Sequence, residues 1–241
     1  MSSKPAINQP DGKSDSRDLL LHAAEKLFTL KSYREVSTRE IADAAGVNLG
    51  AIQYHFGSKQ ALFIAVVQQM MQGSGCGSTR IILPTEIASE TEAAAAICHF
   101  IREFLSFLLK KEGPQPCRLM FREILGAEAA QESEIFNALV TAFVEEFSRP
   151  MHTALVRVLK ALRPEDSEKQ LAKAAYSILG QCSCYVTHGP FIAKLEETSL
   201  TDTIWFEDTL AHLCTFSLRG LGCSEAIVTT ALANARERST A

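Results

Sequence analysis

Apolar residues recur at three- and four-residue spacing along nearly the whole chain, with no sustained alternation of the kind strands show, so the sequence predicts an all-α fold. The first stripe is Leu19, Leu20, Ala23, Ala24, Leu27 and Phe28, preceded by Asp15-Ser16-Arg17-Asp18, which offers capping and first-turn acids. Ser37-Thr38-Arg39-Glu40 is a capping box in which the serine accepts the N–H three residues on and Glu40 reaches back. A short helix follows with Ile41, Ala42 and Ala45 inward, and Gly46 stops it. Asn48 is placed to cap the next helix, about 49–55. Gly57-Ser58 then ends that helix and caps a fourth through Leu62, Phe63, Val66, Val67 and Met70.

Residues 73–80, rich in glycine and serine, read as a linker. Their G-x-G-x-G string follows a helix and lacks the Gly-Lys-Ser/Thr of a phosphate-binding loop. Beyond it, Ile97, Phe100, Ile101, Phe104, Leu105 and Leu108 mark a long amphipathic helix closed by Glu112-Gly113-Pro114. A shorter helix is expected over 117–127 and a long one over 133–162, bent just before Pro150 because proline removes a helical N–H and clashes one turn back. Helices over 167–188 and 202–221, joined by a loop around Gly189-Pro190, and a last short one over 224–236 complete about nine to ten. The division that follows is a disordered tail (1–14), a helix-turn-helix head with its connecting fourth helix (15–71) and a larger helical body (72–241).

Composition excludes several classes. Hydrophobic residues at 46% and charged residues at 22% rule out a largely disordered chain. No apolar run approaches the roughly 18 residues of a spanning helix, and the first 14 residues lack an apolar signal-peptide centre, so a cytoplasmic protein without membrane partners is expected. Seven irregularly spaced cysteines read as free thiols, and Cys182 and Cys184, two apart on a helix, point to nearly opposite sides. Net charge is −4, but it is uneven. Residues 15–71 balance six basic against six acidic side chains, while residues 72–241 hold 16 basic and 21 acidic ones. A neutral head on an acidic body permits nucleic-acid binding without arguing for it.

The two short helices about the Gly46 turn have the dimensions of a helix-turn-helix. The second, of seven residues, is about 10 Å long, which suits end-on entry into a major groove roughly 12 Å wide. Asn48, Leu49, Gly50 and Ala51 lie at its leading end; the small residues allow close backbone approach, and Gln53 on the exposed face could pair with an adenine edge. Gly50 and Ala51 could equally be small only for packing.

Thr38-Arg39-Glu40-Ile41-Ala42, Gly46-Val47, Gly50-Ala51-Ile52-Gln53-Tyr54-His55-Phe56, Ser58-Lys59 and Leu62 closely resemble the TetR-family signature over roughly residues 15–67. The C-terminal part resembles the family's CecR-like branch through Arg122-Glu123, Arg149-Pro150, Ile178-Leu179-Gly180 and Leu218-Arg219-Gly220-Leu221. The resemblance implies that Thr38 and Arg39 face phosphate and groove and that Tyr54, His55 and Lys59 hold the DNA backbone. Phe56 is assigned to the core. Gln53 departs from the family, many of whose members carry an aromatic residue there.

One head inserts too few residues to be specific, so a two-fold homodimer on a palindromic double-stranded operator is expected. The resemblance places its interface on the helices 167–188 and 202–221, through Ala175, Ile178, Leu179, Cys182, Val186, Leu210, Leu213, Phe216 and Leu221. Phe100, Phe104, Phe107, Phe121, Phe143 and Phe147 could line a cavity for a small apolar or amphipathic effector, with His152, Arg118 and Arg122 as orienting polar groups, although aromatic stripes are more often plain core. The expected function is thus a ligand-releasable repressor. The alternatives are a regulator whose body docks a protein partner and, more remotely, a helical-domain enzyme. H-E-x-x-H, G-x-S-x-G and Cys/His clusters at metal-ligand spacing are all missing, and no cofactor or metal is expected.

Overall fold

In a computed structural model, residues 12–73, 81–109, 119, 122–123 and 134–237 are described. Among them are eleven α-helices and no strand: α1 (Gly12–Leu30), α2 (Thr38–Ala45), α3 (Gly50–Phe56), α4 (Lys59–Gly73), α5 (Glu90–Leu109), α6 (Glu134–Phe143), α7 (Arg149–Leu162), α8 (Glu168–Thr187), α9 (Gly189–Leu195), α10 (Thr203–Gly220) and α11 (Glu225–Glu237). Leu119, Arg122 and Glu123 are also helical, within the stretch expected over 117–127, whose remainder falls outside the described residues together with positions 1–11 of the expected tail and 74–80 of the expected linker.

Local chemistry accounts for most of the boundaries. Ser37 Oγ accepts the Glu40 N–H at 3.1 Å, and Gly46, at φ 66°, closes α2 by donating to the Ala42 and Asp43 carbonyls. The Glu40 carboxylate also takes the Lys31 ammonium at 2.6 Å, and the hydrogen bonds from Lys31 and from the Ser37 backbone hold its pKa below the usual carboxylate range. Ser167 and Gln170 form a complete box at the start of α8. Where a bend was expected just before Pro150, the chain carries a π-helical turn, Val144–Ser148, directly before Arg149-Pro150. The wider turn accommodates a ring that would clash with the carbonyl four residues back. The loop expected around Gly189-Pro190 is instead the start of α9: proline in a first turn sacrifices no hydrogen bond.

The chain forms two compact units. Unit 1 comprises Met1–Gly73 and Leu119–Ala142; unit 2 comprises Ser74–Arg118 and Phe143–Ala241. The head therefore includes a segment that the sequence reading assigned to the body. Leu20, Ala24, Phe28, Ile41, Ile52, Phe63 and Val66 are buried in unit 1, with Phe28 edge-on to Phe63 at 4.6 Å. In unit 2, α5 packs against α7, α8, α10 and α11 and buries Phe100, Ile101 and Leu105. Arg102 of α5 holds Glu207 of α10 through two parallel bonds of 2.6 and 2.7 Å. Cys182 is buried and Cys184 exposed, as their spacing requires. No described helix is long and apolar enough to cross a membrane, and no group of three or more potential metal ligands occurs among the described residues.

Candidate nucleic-acid interface

The helix-turn-helix of unit 1 is framed by two left-handed glycines, Gly46 after α2 and Gly57 (φ 74°) after α3. A side chain at either position would strain the backbone, so both turns depend on glycine. Asn48 Oδ1 accepts the Gly50 N–H at 2.9 Å and Ser58 Oγ accepts the Ala61 N–H at 3.0 Å, the two caps expected of them. Ile52 buries the inner face of α3. The outward side presents Asn48, Leu49, Gly50, Gln53 and Tyr54, all exposed; Leu49 is 50% and Tyr54 67% accessible, with the Tyr54 ring edge-on to His55 at 4.9 Å. Ala51 is half-buried. Thr38 and Arg39 open α2, with Arg39 exposed and in no ion pair among the described residues.

Two residues assigned to the DNA backbone are engaged within the protein. His55 Nε2 lies 3.0 Å from Ser16 Oγ, which ties the end of α3 to α1. The Lys59 ammonium donates to the Tyr33 carbonyl at 2.5 Å and sits 4.1 Å from the centre of the Tyr33 ring. This burial lowers the Lys59 pKa, opposed by the charge of Glu123. Phe56, expected in the core, is half-buried under the Arg17 guanidinium, 5.4 Å from its ring centre.

Arg122, offered as a pocket residue, belongs to unit 1. Its guanidinium donates to the carbonyls of Phe28, Thr29 and Lys31, the last two at 3.2 and 3.0 Å. These lie at the C-terminal end of α1, where carbonyls lack helical partners and where α1 has no basic residue in its own last turn. Glu123 accepts the Tyr33 N–H at 3.2 Å. Tyr33 was not singled out from the sequence, and Ser16 and Glu123 were named only within the capping run before α1 and the Arg122-Glu123 motif; the hint of these contacts was the missing cation at the end of α1.

In unit 2, Phe100 and Phe104 are buried and stack at 5.7 Å, while Phe147 meets Phe143 at 4.9 Å and Phe107 at 6.0 Å. His152 stacks on Tyr176 at 5.2 Å, and its buried Nε2 has no hydrogen-bond partner among the described residues. Phe121 and Arg118 lie outside those residues. The interface stripe needs correction. Ala175, Ile178, Cys182, Leu210 and Leu213 are buried inside the subunit, and Leu179, Val186 and Leu221 are half-buried. Of the nine, only Phe216 is largely exposed, at 61%. The continuous apolar stripe on each helix serves its own core. The outward faces carry Tyr176, Gly180 and Cys184 on α8, and Ile204, His212, Phe216 and Gly220 on α10. A Cβ added at Gly180 or Gly220 would meet open space.

A short exposed helix held against a capped partner by a left-handed glycine, in an all-helical chain, defines a helix-turn-helix DNA-binding protein. Residues 20–66 match the bacterial regulatory proteins of the tetR family, and residues 93–221 match the C-terminal domain of the HTH-type transcriptional dual regulator CecR. The chain belongs to the TetR family, with a C-terminal domain of the CecR type. It is 25% identical over 209 residues to the HTH-type transcriptional regulator RutR of Escherichia coli (strain K12), covering 86% of this chain and 91% of RutR. In fold it resembles the flavonoid-responsive regulator FrrA, at a TM-score of 0.57 and 22% identity, covering 86% of this chain and 97% of FrrA. It also resembles AibR in complex with isovaleryl coenzyme A and operator DNA, at a TM-score of 0.52 and 14% identity, covering 83% and 97%. These relatives and fold neighbours are regulators, not enzymes, and the chain is a DNA-binding transcriptional regulator.

Proposed function

We propose that the chain is a homodimeric repressor that holds a palindromic operator and is released from it by a small apolar or amphipathic ligand. The observation that carries the reading is the exposed row of Leu49, at the cap of α3, and Gly50, Gln53 and Tyr54 on it, together with the exposed Arg39 of α2, with Ile52 fixing which way the helix faces. Gln53 is the base reader, Leu49 the apolar groove contact, and Arg39 and Tyr54 hold phosphates. The two copies meet through the outward faces of α8 and α10, where Gly180 and Gly220 admit close helix approach and Phe216 and Ile204 supply apolar area.

The ligand site is the aromatic group of Phe107, Phe143 and Phe147 in unit 2. The buried His152 Nε2, which has no protein partner among the described residues, is an orienting polar group of the kind such sites use. AibR, of the same fold, binds isovaleryl coenzyme A and operator DNA, which supports a ligand of apolar body and polar head. Ligand favours a conformation whose heads are spaced wrongly for the operator, and linkage weakens DNA binding by the same factor.

Selection of duplexes from a random pool by the full-length protein tests the first half. The expected product is a palindrome with half-sites about one helical turn apart, bound by two chains per duplex. Duplexes without internal symmetry, or one chain per duplex, would sink the dimeric reading. A thermal-shift screen of apolar carboxylates and acyl thioesters tests the second half: a true ligand raises the melting temperature and lowers affinity for the selected duplex.

A further inference from the structure

Two buried side-chain polar atoms lack a hydrogen-bond partner among the described residues: His152 Nε2, assigned above to the ligand site, and Arg102 Nε. The second is the more costly, because it belongs to a permanent cation. A buried donor of that kind calls for an acceptor, and the surroundings of Arg102 decide which acceptor can reach it.

Ala95, His99 and Arg102 stand at i, i+4 and i+7 on one face of α5 and, with Asn234 and Ala235 of α11, line a cleft in the seam between the two helices. Both terminal nitrogens of the guanidinium donate to Glu207, at 2.6 and 2.7 Å, and Glu207 does not line the cleft. Nε–H is therefore the donor that Arg102 has left to offer there. The Arg102 side chain is 13% accessible, so this donor sits in a low dielectric, where a charge-assisted bond is strongest.

Of the other two polar residues, His99 is half-buried and Asn234 exposed. A carboxamide brings two N–H donors, and an imidazole carries an N–H in either tautomer. No carboxylate lines the cleft. The two alanines keep the seam from closing, and the space between the walls is about 10 Å³, room for one water-sized group. One wall also lies outside the family's common domain, since α11 begins at Glu225 and the CecR-type match ends at residue 221.

We propose that the α5–α11 seam is a binding site for a small monovalent anion of chloride size, held by Arg102 Nε–H from α5 and the Asn234 carboxamide from α11, with His99 beside them. The site lies wholly within unit 2 and depends on neither the operator nor the aromatic ligand site. A donor-lined cleft without a carboxylate favours an anion over water, and its size excludes phosphate and sulfate. Because the ion joins a donor on one helix to a donor on the other, it fastens the last helix to the central helix of unit 2. Binding to the folded state then raises stability with anion concentration.

The test uses the full-length protein and its Asn234→Asp and Ala95→Leu variants in sodium gluconate, with chloride replacing gluconate at constant ionic strength. Asn234→Asp sets a carboxylate at the site without touching the core, and Ala95→Leu fills the cleft. Chloride at about ten times its dissociation constant should raise the melting temperature of the unmodified protein by about 3–6 °C. In the same samples the chloride NMR line should broaden with the unmodified protein, and bromide should reverse the broadening. Neither variant should show either effect. If chloride shifts all three proteins alike, it acts on the protein surface at large and the proposal is overturned. An unmodified protein that shows no shift, with a line as narrow as that of Asn234→Asp, overturns it as well, the Nε–H then being met by water. Should Ala95→Leu fail to fold, Asn234→Asp decides.

Discussion

Phe216 and Leu210 lie about 1.7 turns apart on α10 and point about 120° away from each other, the first 61% accessible and the second 3%. Substituting each separates the subunit's core from the surface proposed to pair. A phenylalanine buries on the order of 200 Å², so some 120 Å² of Phe216 remains for a partner to cover, about 3 kcal/mol per copy at 25 cal/mol/Å². Two copies in a symmetric interface give about 6 kcal/mol as an upper bound. If ordering costs and residual hydration halve it, about 3 kcal/mol is left, a hundredfold in dissociation constant.

Phe216→Glu also places a carboxylate there, so its effect exceeds that of Phe216→Ala. Sedimentation equilibrium over a concentration series should show Phe216→Glu as a monomer with unchanged helix content. Leu210→Ala should keep the dimer and lose about 2–5 kcal/mol of folding stability through the cavity it opens. Melting temperature follows with a fall of about 5 °C or more. If Phe216→Glu dimerises as tightly as the unmodified protein, or if Leu210→Ala dissociates the dimer without destabilising the fold, the assignment of faces is wrong.

Two further outcomes follow from local geometry. Gly46→Ala forces a side chain into a left-handed turn and should cost about 1 kcal/mol or more of stability, read as a lower midpoint in urea. Burial pushes the Cys182 thiol up to about 12, so its proton is retained when the protein is folded but released from the unfolded chain at lower pH. Stability from this group is complete at neutral pH and falls as pH rises from the ordinary thiol range toward 12. Cys182→Val should flatten the alkaline limb of a pH–stability curve, and an unchanged limb would remove burial of Cys182 as its cause.

What was legible in the sequence is what neighbours in the chain decide. Ser37, Gly46, Asn48, Gly57 and Ser58 act on backbone groups within a few residues, so the turn and the recognition helix could be placed from residue order alone. Proline at position 150 announced a departure from the regular helix for the same reason. The faces of α8 and α10 were misjudged because an apolar stripe marks burial without saying whose core it serves, and Ala175, Ile178 and Leu213 serve their own. Arg122 was misassigned because its partners lie 91 to 94 positions away, and no local pattern encodes that distance. The Lys59 contact with Tyr33, 26 residues apart, is invisible for the same reason.

That contact changes what holds the DNA. Of the six basic residues in 15–71, Lys31 is paired with Glu40, Lys59 is spent on Tyr33, and Arg17 lies over Phe56 with Asp18 at 3.9 Å. Arg39, exposed at the start of α2, is the cation best placed to meet a phosphate beside α3. One or two phosphates neutralised per head means about two to four per dimer, and hence a slope of log K against log salt of roughly −2 to −4. Arg39→Ala should flatten it by about 2 per dimer, one for each head. Lys59→Ala should leave the slope alone and lower affinity through a loosened α4, a loss that persists at high salt. A Lys59→Ala slope flattened as much as that of Arg39→Ala would mean that the ammonium leaves Tyr33 for a phosphate when DNA binds. The Tyr33 carbonyl would then be a storage position for the charge and not its final partner.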